Sequence, residues 1–137
     1  MTLDMSYLLT PFAAWLVAGC CKFAVNCVRS RRLAFDLIGY GGLPSNHSAI
    51  VSSMACLIAL KQGIEHPAFG VALTLAFIVM LDASSLRRQI GRQAEAINRL
   101  VGSDGIRLRE RMGHSPIELF AGILVGGLTA WALNYLL

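Results

Sequence analysis

The chain has 137 residues, 55% of them hydrophobic and only 15% charged, with a formal net charge of +4. Soluble domains carry about a quarter charged residues, so the composition points away from an ordinary soluble domain and toward a membrane protein. The length allows one unit, read here as a single membrane-embedded domain over 1–137.

In chain order, Met5–Cys21 and Leu37–Leu60 carry no charge, His66–Leu81 has no Asp, Glu, Lys or Arg, and Leu119–Leu137 is uncharged to the end. A bilayer core of about 30 Å takes roughly 20 helical residues, with about 17 as a lower limit. These stretches predict an all-α polytopic bundle with four spans, at about 5–25, 45–62, 67–84 and 116–136. A small soluble α-bundle with buried helices is the alternative. The first span is expected to stay in place. Asp4 is the only charge before it, where a signal peptide would have a positive region.

Lys22, Arg29, Arg31 and Arg32 lie at or after the end of the first span, and Arg87, Arg88, Arg92, Arg99, Arg107, Arg109 and Arg111 between the third and fourth. Of the 12 Lys and Arg, only Lys61 lies elsewhere, in the turn between spans two and three. Basic loops stay cytoplasmic. The N-terminus, the 61–66 turn and the C-terminus are therefore expected outside, and both basic loops inside. The positive charge is thus a topology signal, and without an aromatic-plus-basic module no nucleic-acid partner is expected. Cys20, Cys21, Cys27 and Cys56 form no C-x-x-C pair and read as small apolar packing residues.

The turn "KQGIEHPAFG" makes spans two and three an antiparallel hairpin. "SSLRRQIGRQAEAINRL" reads as a separate amphipathic helix on the inner membrane surface. Leu86, Ile90, Ala94, Ile97 and Val101 line one face and Arg87, Arg88, Arg92, Glu95 and Arg99 cover the others. "GSDGIRLRERMGHSP" then forms a loop or short turn back to span four, with Pro116 marking a helix start.

This topology brings "PSNH", opening span two, and "GHSPIE", opening span four, to the cytoplasmic side. The ends of spans one and three deliver Lys22, Arg29, Asp82, Arg87 and Arg88 to the same place. Helix N-termini present unpaired N–H groups and partial positive charge, which favour an anion. Two histidines, several cations and two helix N-termini suit a lipid phosphate. Each piece also has a plainer role. Ser45 and Asn46 can cap span two, and Ser115-Pro116-Ile117-Glu118 fits a capping box.

Together "KFAVNCVR", "GGLPSNHS", "LDASSLRRQIGRQAEAIN" and "MGHSPIE" resemble the divergent branch of the type 2 phosphatidic acid phosphatase superfamily, related to acid phosphatases and vanadium-dependent haloperoxidases. The likeness runs from about Lys22 to Glu118. Lys22 and Arg29 match the spacing of the first superfamily motif, with Ser30 where it has proline. Pro44, Ser45 and His47 match Pro-Ser-Gly-His, with Asn46 in the glycine position. His114 and Glu118 match the end of the third motif, whose Ser-Arg is replaced by Arg107-Leu108. Arg87 and Arg88 belong to the branch's own D-A-x-G-V-R-R pattern and are the substitutes for that arginine. Asp82 fits the same pattern as a supporting residue.

The resemblance implies a membrane lipid-phosphate phosphatase. His114 would be the nucleophile and Glu118 its orienting partner, with His47 as the acid. Lys22, Arg29, Arg87 or Arg88, and Ser45 would cradle the phosphoryl oxygens, with Asn46 and Asp82 in support. No metal or other cofactor is expected, because the cations supply the charge. Glu118 is expected to serve either the helix cap or the imidazole, not both in full. The substrate class stays open among phosphatidate, phosphatidylglycerophosphate and isoprenyl phosphates or diphosphates. Two other readings are a non-catalytic binder of anionic headgroups and a membrane scaffold or transporter subunit. Four short spans make a thin wall around a site, which leaves homo-oligomerisation open.

Overall fold

The computed structural model describes residues 4–37, 42–102 and 105–137. Gly41 of the G-G-x-P-S-x-H-S motif, and Ser103 and Asp104 of the loop before span four, lie outside these. The described residues form α1 (Ser6–Ser30), a 3₁₀ turn (Phe35–Leu37), α2 (Asn46–Gln62), α3 (Pro67–Leu81), a π turn (Asp82–Leu86), α4 (Arg87–Val101) and α5 (Pro116–Leu136).

Local chemistry sets the helix starts. The Ser45 hydroxyl accepts the Ser48 N–H at the head of α2. His66 Nδ1 accepts the Ala68 N–H, and Pro67 follows at the first helical position. At α5, Ser115 and Glu118 form a complete capping box with Pro116 at the first position. Each device satisfies N–H groups that a helix start leaves unpaired.

α1, the continuous Pro67–Val101 segment and α5 are long and apolar enough to cross a membrane. The fourth expected span, α2, has 17 residues and falls short of those three. It is the inner helix of the bundle, packed against α1, α3 and α5. Its buried residues are Ser48, Ala49, Val51, Ser53, Ala55, Leu57 and Ile58, a mixture of small and branched side chains. Such a helix touches protein more than lipid, so it needs little hydropathy of its own.

The expected separate amphipathic helix is instead a direct continuation of α3. The backbone passes through the π turn without a break, giving 35 helical residues, roughly 52 Å at 1.5 Å per residue. The reason is local. The Ser84 and Ser85 hydroxyls bond back to the Leu81 carbonyl, so these serines sit within the helix rather than ending it. Residues 105–115 then run back along α4 without helical structure. Asn98 holds Leu108 at both its N–H and its C=O, each at 2.8 Å. Gly91 lies beneath the Glu110 carbonyl, where no side chain fits.

Helix α1 meets its neighbours along a stripe of small residues one turn apart, Ser6, Thr10, Ala14 and Ala18, all buried. α5 does the same with Gly122, Gly126 and Ala130. At the end of the bundle away from His47 and His114, Lys61 Nζ reaches Asp4 Oδ2 at 2.8 Å and Ser6 Oγ at 2.7 Å, clasping the start of α1 to the end of α2. The Lys61 ammonium and the two bonds from Ser6 lower the Asp4 carboxyl to about 2. A depressed carboxyl contributes stability above its unfolded value near 4 and loses it as pH falls through its folded value. The clasp should therefore weaken between about pH 4 and pH 2. Thermal melts in detergent should show wild type and Lys61→Met converging over that window; a constant gap between them would assign Lys61 a packing role only.

Candidate active site

A cavity of about 660 Å³ lies between the second half of α1, Ala34 and Phe35 after it, the start of α2, the start of α4 and the returning loop. α1 contributes Trp15, Leu16, Gly19, Cys20, Lys22, Phe23 and Asn26, and α2 contributes Asn46, His47 and Ile50. Arg87 comes from α4, and Arg109, Met112, Gly113 and His114 from the returning loop.

His114 is the most constrained of these. It is 6% exposed. Its N–H donates to the Ala83 carbonyl in the π turn at 2.9 Å, and its own carbonyl accepts from Arg88 Nη2 at 3.1 Å. Gly113, at φ +88°, packs on the Arg88 backbone, with a β-carbon's position 3.0 Å from Arg88 N. The ring is held as well, with Nδ1 3.1 Å from Glu118 Oε2. A carboxylate at Nδ1 fixes the proton there and leaves Nε2 with its lone pair. The His47 and His114 rings stand edge to face, with centroids 5.9 Å apart.

Glu118 does two jobs with one oxygen. Oε2 accepts the Ser115 N–H at 3.0 Å, completing the capping box, and also meets His114 Nδ1. The expected competition between cap and imidazole does not arise, because a carboxylate oxygen has more than one lone pair. Burial lowers the His114 pKa; Glu118 raises it in partial offset, and the charges of Lys22 and Arg87 lower it further. At neutral pH the imidazole is therefore uncharged.

The other residues singled out in the sequence divide by place. Lys22 lines the cavity and forms no hydrogen bond or ion pair among the described residues. Arg87 lines it too and is oriented by Asp82, Nε to Oδ2 at 3.1 Å. Arg88 lies outside the lining and holds the His114 carbonyl. Ser45 is fully buried behind the wall. Its hydroxyl is taken by Ser48, and its N–H donates to the Glu118 carbonyl at 2.9 Å. Arg29 is exposed, away from the lining. Asn46 faces the cavity. Among the described residues, no three of His, Cys, Asp and Glu group in a way that could hold a metal ion.

Sequence reasoning missed Arg109, Asn26 and the apolar half of the lining. The R-x-R-x-R alternation at 107–111 is a signal in hindsight, since an extended segment sends every second side chain one way. Helical spacing likewise places Asn26 four residues after Lys22, on its face.

The profile of the Divergent PAP2 family matches residues 3–129, nearly the whole chain. The chain belongs to the Divergent PAP2 family. It is also 35% identical, over an alignment of 147 positions covering 93% of each chain, to a Bacillus subtilis (strain 168) protein described as the uncharacterized membrane protein YuiD. No solved structure matches it. Family membership and the three long apolar helices make this an integral membrane protein.

Proposed function

We propose that the protein is a lipid-phosphate phosphatase that works through a phosphohistidine at His114. The observation that carries this reading is the Glu118–His114 pair, set in a cavity that also holds His47, Lys22, Arg87 and Arg109. Histidine Nε2 attacks phosphorus, and the P–O bond to the lipid alcohol breaks. The leaving oxygen takes a proton from protonated His47. Water then attacks the phosphohistidine and gives a proton back to His47, releasing phosphate and neutral His114. Glu118 stabilises the charge that the His114 ring gains at the first step. Lys22, Arg87 and Arg109 hold the phosphoryl oxygens, and guanidinium forks suit that task. The cavity joins this polar cluster to Trp15, Leu16, Phe23 and Ile50, which fits an amphiphile.

The test is phosphate release from a panel of lipid phosphates by purified protein in detergent, with and without chelator. Release that survives chelation supports the mechanism. Loss with chelator favours a metal-activated water. Binding without release on every substrate favours a headgroup-binding protein. The basic segments on either side of the site support a cytoplasmic orientation for it. A reporter after Leu137 should accordingly read as external and one near Gly102 as cytoplasmic, and reversed labels would move the site to the other side.

Glu118→Gln isolates the charge of this pair, because glutamine still serves a capping box. Glu118 raises the His114 pKa, so its neutralisation lowers that pKa further. The acid limb of kcat/KM, where His114 becomes protonated and inactive, should move to lower pH. The plateau should fall by about 10²–10⁴. An unmoved limb would mean that another group titrates.

A further inference from the structure

We propose that a second groove, on the side of α4 turned away from the cavity, holds an anionic phosphodiester lipid, and that Arg88 links this lipid to the loop carrying His114. The groove has a volume of about 380 Å³ and is lined by Ser84, Ser85, Arg88, Gln89, Arg92 and Pro116. None of these lines the cavity that holds His47 and His114. Neighbours on a helix point about 100° apart, so Arg87 enters the cavity while Arg88 and Arg92, one turn apart, share the groove. Both groove arginines are exposed. The carboxylates nearest in sequence are engaged elsewhere, Asp82 with Arg87 and Glu95 with Arg99. Arg92 has no hydrogen bond or ion pair among the described residues, and Arg88 bonds the His114 carbonyl through Nη2 alone. Like charges one turn apart repel, and no carboxylate stands in the lining to balance them. A phosphate shared between the two guanidinium groups does so.

The position of the groove says what carries that phosphate. It lies where α3 gives way to the π turn and where α5 begins, at the ends of two apolar segments long enough to cross a membrane. That is headgroup depth. α3 and α5 both pack on α2 and scarcely on each other. Ile78 and Leu81 on α3 continue the face of Ser85, and Phe120 and Leu124 on α5 continue the face of Pro116, at helical spacing; all four are exposed. Acyl chains can cover these side chains while the phosphate reaches the arginines. The hydroxyl protons of Ser84 and Ser85 are both spent on the Leu81 carbonyl, so their oxygens remain as acceptors. A headgroup with hydroxyls donates to them, and the guanidinium forks take the phosphate oxygens. An ammonium headgroup would meet two arginines and no carboxylate. A phosphodiester lipid with a hydroxyl-bearing, uncharged headgroup therefore fits, and phosphatidylglycerol is of this kind. With the lipid in place, Arg88 holds its phosphate with one part of the guanidinium and the His114 carbonyl with another, which steadies the loop.

The experiment places the full chain in phosphatidylcholine nanodiscs with a trace of chain-spin-labelled phosphatidylglycerol or phosphatidylcholine, and reads the fraction of label held immobile. Phosphatidylglycerol should be preferred by at least about fivefold, the scale of one basic side chain at a membrane surface. Arg92→Gln should remove most of that preference and Arg92→Lys should keep part of it. Lys22→Met, which alters the cavity, should leave it in place. Equal immobilisation of the two lipids overturns the proposal. So does a preference that survives Arg92→Gln and disappears in Lys22→Met, because the lipid then sits in the cavity. Soluble glycerophosphoglycerol at the concentration of the labelled lipid should not displace it; displacement would make this a site for free anions and overturn the lipid assignment. Amide hydrogen exchange across residues 112–115 tests the link. It should be slower in nanodiscs containing phosphatidylglycerol than in phosphatidylcholine alone, and the difference should vanish in Arg92→Gln. Lipid preference without slowed exchange overturns the link through Arg88. None of these readouts depends on phosphate release, so they stand or fall apart from the phosphatase reading.

Discussion

His114→Ala is expected to lower phosphate release by roughly four orders of magnitude or more, the scale seen when a nucleophile is removed from a group acting as a unit. The geometry makes this a side-chain effect. The backbone of His114 is held by Ala83 and Arg88, and Glu118 keeps its bond to the Ser115 N–H. None of these contacts requires the imidazole, so the loop and α5 should keep their places. Losing the buried ring leaves a hole beside His47, and mutual rescue by that residue is not expected at a 5.9 Å ring separation. A brief reaction of wild type with labelled lipid phosphate should leave acid-labile, base-stable label on the protein, and His114→Ala should take up none. Vanadate, which adopts a five-coordinate shape like that of the transferring phosphoryl group, should inhibit wild type. Label that persists in His114→Ala would assign the nucleophile to another residue, with His47 the first to check.

Much of this arrangement follows from residues that act locally. The uncharged stretches mark the helices, Ser115-Pro116-Ile117-Glu118 marks the start of α5, and the chain's alternating direction brings His47 and His114 to one end. What could not be read depends on contacts between distant segments. The continuous helix is the local exception: Ser84 and Ser85 open the segment read as a separate amphipathic helix, yet their hydroxyls return to Leu81 and the helix runs on through the π turn. Arg109 reaches the cavity because the loop lies back along α4, fixed by Asn98 and admitted by Gly91. No periodicity encodes that path. Ser45 has the same composition-level signal as a phosphate ligand and as a cap. Only the packing of α5 against it shows that its polar atoms are already engaged. Sequence spacing gives the direction of a side chain; whether it meets a cavity or a neighbour depends on how the helices close.

That closure depends most on Gly122, and Gly122→Leu is expected to destabilise the protein by about 3 kcal/mol or more, the upper range for overpacking. A β-carbon at 122 would fall on the Ser45 carbonyl oxygen and 2.8 Å from the Ser48 β-carbon. The first of these is backbone and cannot rotate aside. Gly126 repeats the contact one turn on, against the Ala49 carbonyl. The pair is a small-x-x-x-small face that lets two helix backbones touch, the main source of helix association where lipid removes the hydrophobic drive. The consequence reaches the site directly. The Ser45 N–H is bonded to the Glu118 carbonyl, and Ser45 caps the helix that carries Asn46 and His47. Pushing α5 away therefore separates Glu118 and His114 from His47. Gly127, the next residue but on the open side of α5, has nothing within 4 Å of a β-carbon. Gly127→Ala should be neutral or stabilising by up to about 1 kcal/mol, through helix propensity alone. Melting both variants in detergent, with phosphate release measured below the transition, separates the effects: Gly122→Leu should lose stability and activity together, and Gly127→Ala neither. Equal behaviour of the two would mean that α5 is held by something other than its glycine face.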